Sequence, residues 1–168
     1  GKEVPTGEVG EIFTGSTARA EFTYKGRDAD RAEAELDGMY SMGDIGYIDA
    51  DGYIFISDRK RDMVISGGVN IYPAEIEAAL TQMAGVNDCA VFGIPDDEFG
   101  EKLIAFVEPA PDTALEVASV QEHLRAHLAN YKVPRIVEFA ASLPRTPTGK
   151  IIKRELRDPY WKEAGRTI

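Results

Sequence analysis

Asp58-Arg59-Lys60-Arg61-Asp62-Met63-Val64-Ile65-Ser66-Gly67-Gly68-Val69-Asn70 sets five consecutive charges against a short apolar run and a pair of glycines. Five charges where a strand should continue make burial costly, so the chain is expected to divide here. Upstream, Ile45, Tyr47, Tyr53 and Phe55 alternate around Asp49-Ala50-Asp51-Gly52, the pattern of a hairpin whose glycine takes the left-handed conformation of a tight turn. That hairpin holds Asp44 at its mouth and returns the chain so that Arg59 approaches it. Residues 8–14 and 20–24 carry β-favouring residues between glycines and predict short strands. The charge-rich segment from Arg27 to Glu33 reads as a solvated, helical or irregular surface.

Downstream, Met63-Val64-Ile65 resumes a strand, and Ser66-Gly67-Gly68 offers two positions without side chains, suited to close approach by a ligand or simply to a hairpin turn. Pro73 suits the first turn of a helix whose apolar face is Ile76, Ala79, Leu80 and Met83, with Glu75 and Glu77 complementing its positive end and Gly85 terminating it. Residues 86–94 and 102–108 are apolar on both faces, as in a sheet covered by helices. Thr113-Ala114-Leu115-Glu116 has capping-box spacing ahead of the stripe Val117, Val120, Leu124, Leu128 and Tyr131, which Pro134 stops. Residues 135–140 return to strand. Leu143-Pro144-Arg145-Thr146-Pro147-Thr148-Gly149-Lys150 is a proline-stiffened loop before a closing helix over 153–161.

The 168 residues and formal charge of −10 fit one ordinary domain, or a small domain with part of another, and argue against binding a nucleic-acid backbone. The single cysteine, Cys89, lies in an apolar run and is expected to be a packed thiol. Neither an apolar run of membrane-spanning length nor a leader is visible, so no membrane span is expected and a cytoplasmic setting is. The chain opens without Met directly on strand-like sequence, as a piece of something longer would.

A carboxylate with a guanidinium beside it, as Asp44 and Arg59 are placed, suits two neighbouring ribose hydroxyls, although most such pairs are structural. Lys150 follows Thr148-Gly149, but Pro144 stands where a phosphate loop needs glycine. Such a lysine is either solvated or able to offset repulsion between a carboxylate and a phosphate. His123 and His127 are four apart on one helix, yet the intervening residues lack the glutamate of a zinc protease, and surface histidines are expected; no metal site is.

Taken in order, Tyr40-Ser41-Met42-Gly43-Asp44-Ile45-Gly46, Asp51-Gly52-Tyr53, the run from Asp58 through Tyr72-Pro73-Ala74-Glu75-Ile76-Glu77, and Leu143 to Ile151 resemble the C-terminal third of an acyl-CoA synthetase of the adenylate-forming superfamily, which also holds luciferases and peptide-synthetase adenylation domains. The resemblance implies an α+β lid domain, a small central sheet flanked by helices, over residues 61–168, preceded over 1–60 by the β-rich end of the large N-terminal domain. It implies that Asp44 holds the ribose hydroxyls of ATP and the acyl-adenylate with help from Arg59, that Arg61 is the hinge, and that Lys150 is catalytic during adenylation. Gly67 and Gly68 then line the pantetheine passage, with Phe99, Tyr131 and Arg135 as CoA contacts; Val133 departs from the basic residue some members carry.

The reaction implied is carboxylate activation by Mg-ATP to an acyl-adenylate with loss of pyrophosphate, then transfer to CoA with loss of AMP. The resemblance assigns the phosphate loop, adenine segment and acyl pocket to the missing N-terminal domain, so this chain alone is expected to be inactive and to bind no cofactor tightly. Two alternatives stay open: an adenylation domain that loads a carrier-protein thiol, and a noncatalytic interaction module retaining the fold. The Ile65-to-Pro73 stretch looks more like the CoA ligases.

Overall fold

A computed structural model of the chain describes residues 2–15 and 28–165, which divide into two compact units between Arg61 and Asp62. The strand expected over 20–24 lies outside the described residues. In the first unit, β1 (Gly10–Thr14), α1 (Asp28–Glu33) and β2 (Glu35–Leu36) lead into the long β3 (Met39–Ile48) and its hairpin partner β4 (Ile54–Arg59). β3 is the hub, pairing antiparallel with each of the other three strands. The hairpin is closed as its sequence requires: Asp49 N donates to Tyr53 O at 3.0 Å, Gly52 has φ 85°, and Tyr47 stacks on its cross-strand partner Phe55 at 4.9 Å. Of the five consecutive charges only Asp58 is buried, its Oδ1 accepting from Arg59 N at 2.7 Å. The last three of the five form the 3-10 turn Lys60–Asp62, none of whose residues is buried.

The second unit runs β5 (Val64–Ser66), β6 (Val69–Ile71), α2 (Pro73–Thr81), β7 (Val86–Asp96), β8 (Gly100–Pro109), α3 (Val117–His127), β9 (Ile136–Phe139) and α4 (Lys153–Glu163). Its sheet is ordered β6-β5-β8-β7, with β9 joining β8 in parallel. The alternation in β7 and β8 explains why both faces are apolar. Cys89, Val91, Leu103, Ala105 and Val107 meet Ile76 and Leu80 of α2 and Val120 and Leu124 of α3 in one core. Phe92, Ile94 and Ile104 form a second core with Leu156 and Tyr160 of α4. This is an α+β fold with a small sheet flanked by helices.

Three helix ends differ from the sequence reading. α2 stops at Thr81 with Gln82 as its C-cap, because Gln82 and Met83 already make tighter bonds to Ala79 O and Leu80 O; Gly85, at φ 89°, belongs to the following turn. α3 is capped at Glu116, whose backbone N donates to Ser119 Oγ at 3.3 Å, three residues past the expected Thr113. It stops at His127 with an extended Leu128 as its C-cap, so Tyr131 falls in the separate 3-10 turn Asn130–Lys132 and not on the helical stripe that Pro134 was expected to stop. Only Glu75 falls in the first turn of α2, where it also pairs with Lys132 at 2.6 Å; Glu77 lies beyond that turn and its Oε1 instead accepts from Val91 N at 2.7 Å. No helix among the described residues is long and apolar enough to cross a membrane.

Candidate functional site

In the first unit, Asp44 and Arg59 are cross-strand partners of β3 and β4, with Arg59 Nε 3.5 Å from Asp44 Oδ1. Asp44 is half-buried and Arg59 exposed. Ahead of Asp44, the β3 backbone is held by a small polar network. Gly43 N donates to Ser41 Oγ at 3.0 Å, Ser41 donates to Glu11 Oε1 at 2.5 Å, and Lys60 Nζ donates to Glu11 Oε2 at 2.7 Å. Burial alone would raise the Glu11 carboxyl, but the hydrogen bonds from Lys60 and Ser41 outweigh it and hold it below its ordinary range. Lys60 belongs to the same 3-10 turn as Arg61, which is exposed. An anchored carboxylate beside an exposed guanidinium can accept hydrogen bonds from vicinal hydroxyls.

In the second unit, Gly67 and Gly68 form the two-residue turn of the β5–β6 hairpin, with φ 58° and 79°. Successive left-handed residues are what such a turn demands. The turn is more than a connection: Gly67 N donates to Phe99 O at 2.9 Å, and a Cβ on Gly67 would lie 3.1 Å from Phe99 Cδ1. Phe99 is held in place because Asp96 Oδ1 accepts from both Phe99 N and Glu98 N, at 3.0 and 3.1 Å. Those bonds, Phe99's first, and Lys102 at 3.3 Å keep the Asp96 carboxyl below its usual range. The Arg135 guanidinium sits over the Phe99 ring at 5.1 Å.

These residues border a cavity of about 560 Å³, into which Gly67, Phe99, Tyr131 and Arg135 are all brought, while Gly68 lies beyond its lining. Val133 also lines it. Sequence reasoning missed Lys102, Gln121 and Arg125, which add polar and cationic groups to the wall. Gln121 Nε2 donates to Pro134 O at 3.0 Å, and Arg125 donates to Gln121 Oε1 at 3.3 Å. The i, i+4 spacing of Gln121 and Arg125 beside the buried Val120 and Leu124 was the available signal. With three cationic side chains, two aromatic rings and a glycine backbone, the cavity suits a long ligand carrying phosphates.

Lys150 stands on an exposed turn of the second unit. Thr146 N donates to Lys150 O at 2.8 Å, Gly149 N to Thr146 O at 2.9 Å, and Lys150 N to Thr146 Oγ1 at 3.1 Å, while Gly149 takes φ 87°. These bonds close the turn, and Lys150 is exposed. The two histidines are otherwise engaged. His123, half-buried, donates from Nε2 to Ala79 O at 2.9 Å, and His127 donates from Nδ1 to His123 O at 2.7 Å. His123 is thus an interhelical tie and not the surface residue expected, because a ring nitrogen can satisfy a carbonyl on α2. Among the described residues no cluster of three or more His, Cys, Asp or Glu could hold a metal ion.

Residues 75–150 match the family described as AMP-binding enzyme C-terminal domain. The fatty acid–[acyl-carrier-protein] ligase ScoC of Streptomyces coeruleorubidus is 42% identical over 168 residues, covering 100% of this chain and 32% of that protein. A feruloyl-CoA synthase of Amycolatopsis is 46% identical over 157 residues, 94% of this chain and 32% of its own. Among solved structures, ATP-bound MatB from Rhodopseudomonas palustris superposes with a TM-score of 0.85 at 37% identity, covering 95% of this chain and 32% of that one. The chain therefore spans about a third of the length of the relatives it matches. The chain carries, over residues 75–150, the AMP-binding enzyme C-terminal domain of the adenylate-forming enzymes.

Proposed function

We propose that this chain is part of an acid:CoA ligase, residues 1–60 closing a large N-terminal domain and residues 61–168 forming a mobile lid hinged at Arg61. A substrate carboxylate attacks the α-phosphorus of ATP, supplied as its magnesium complex, and pyrophosphate leaves. A CoA thiol then attacks the acyl carbonyl and AMP leaves, giving the thioester. Asp44 with Arg59 holds the ribose, and Lys150 offsets the repulsion between carboxylate and phosphate as they meet. The nucleotide, acid and CoA are substrates shared with the N-terminal portion of a longer chain, and this stretch by itself neither adenylates nor retains them. A cytoplasmic setting belongs to the same proposal.

The single observation that carries the reading is the cavity where the Gly67 turn, Phe99, Tyr131 and Arg135 meet Lys102 and Arg125. An approach bordered by the Gly67 turn and by cations fits a thiol arm with phosphates behind it. In the full-length enzyme, Lys150→Ala is expected to cripple acyl-adenylate formation and largely spare thioester formation from supplied acyl-adenylate. Equal loss in both half-reactions would sink the division of labour.

A carrier-protein thiol is the second reading, favoured by the 42% identity to an acyl-carrier-protein ligase over the whole chain. Comparing free CoA with a phosphopantetheinylated carrier as acceptor separates the two. A full-length chain without a phosphate loop would instead favour a noncatalytic module.

A further inference from the structure

Asp88 and Glu108 are cross-strand partners on β7 and β8, an arrangement that repels when both are ionised. Arg145 resolves it. One guanidinium nitrogen lies 2.8 Å from Asp88 Oδ2 and the other 3.3 Å from Glu108 Oε2. The nitrogen on Asp88 also donates to Gly149 O at 3.3 Å, one residue before Lys150. Glu108 Oε2 accepts from Leu143 N at 2.8 Å, so the same carboxylate grips the segment that enters the turn. Beyond the turn, Lys153 Nζ pairs with Glu77 Oε1 at 2.7 Å. Arg145 and Ile151 form an antiparallel bridge across its base.

We infer that Arg145, clamped by the cross-strand carboxylates of Asp88 and Glu108, is a positioning residue that fixes the Lys150 turn to the sheet. The inference rests on Lys150 acting in adenylation. A side chain with several rotatable bonds reaches a fixed target well only when its backbone is fixed, and a small misplacement of a catalytic group is costly. The turn therefore does not flex independently: Lys150 reaches or leaves its target as the second unit moves as a body. A planar fork is required, because one group must meet two carboxylates and a carbonyl at once.

Two measurements test this. In the full-length enzyme, Arg145→Ala is expected to slow acyl-adenylate formation by about tenfold or more, with transfer from supplied acyl-adenylate within about twofold of wild type. The spared half-reaction shows that the variant is folded; equal loss in both halves, or loss in neither, overturns the inference. In the 168-residue chain, the Gly149 and Lys150 amides are expected to exchange hydrogen about tenfold faster in Arg145→Ala. Unchanged exchange also overturns it. If the wild-type enzyme forms no acyl-adenylate, the adenylation reading fails, and the exchange measurement alone decides the brace.

Discussion

The Arg135 guanidinium lies over the Phe99 ring at 5.1 Å, and the same ring stands 3.1 Å from where a Cβ on Gly67 would be. Phe99 therefore does two things: it sets where a cation sits, and it keeps the glycine turn bare. Phe99→Ala is expected to release Arg135 and widen the passage, raising the KM for CoA several-fold in the full-length enzyme, as the loss of about 0.5–2 kcal/mol would. On the proposed assignment adenylation does not use this wall and should be unchanged. A defect confined to adenylation would contradict the assignment.

Gly46 gives a test confined to the first unit. A Cβ there would lie 2.0 Å from Phe55 O and 3.0 Å from Ile12 Cδ1, and a backbone oxygen in a paired strand cannot move aside. Gly46→Ala is expected to cost about 3 kcal/mol, at the upper end of ordinary overpacking. Nothing within 4 Å of Gly43 would meet a new Cβ, so Gly43→Ala pays only for its φ of 78°, about 1 kcal/mol. Hydrogen exchange resolved by strand reads both: β3 and β4 should lose protection far more in the Gly46 variant, and similar losses in the two would refute the steric account.

Glu108 makes stability depend on acid. The Leu143 N–H foremost, against the opposing effect of burial, and then Asn87 and Arg145 hold its carboxyl below the ordinary range. A carboxyl whose folded pKa is depressed adds stability above its unfolded value of about 4.3, and that stability is lost as pH falls through the folded value. Glu108→Gln is expected to lower unfolding stability by about 1–3 kcal/mol near neutral pH, with the difference from wild type shrinking below about pH 4. Urea unfolding at both pH values reads it; a pH-independent difference would mean packing and not charge.

What the sequence disclosed follows the range of the interactions. The hairpin from Ile45 to Phe55 and the two-faced strands around Val91 and Ala105 were legible because alternation is local and the core answers to it. Asp44 opposite Arg59 followed from the same hairpin. The ends of α2 and α3 were not legible, because Gln82 and Glu116 compete with better-looking Gly85 and Thr113 through backbone bonds that spacing does not encode. Lys102, Gln121 and Arg125 were missed because the cavity joins β8 and α3 to the β5–β6 turn through contacts distant in sequence. Nor does any local pattern reveal that Arg145 meets Asp88 and Glu108.

Tyr160 offers a spectroscopic check on the docking of α4. Its ring packs on the core of Phe92, Ile94 and Ile104, and its hydroxyl donates to Glu138 Oε1 of β9 at 3.0 Å. Burial, the Glu138 hydrogen bond and the nearby acids push the phenol up to about 12. A raised folded pKa means stability that is complete below the unfolded value of about 10 and lost as pH rises through the folded one. In Tyr160→Phe that contribution is gone, and phenolate absorbance during an alkaline titration should lose its late component at about 12. A titration whose late component survives in Tyr160→Phe would show that α4 does not hold the ring against β9.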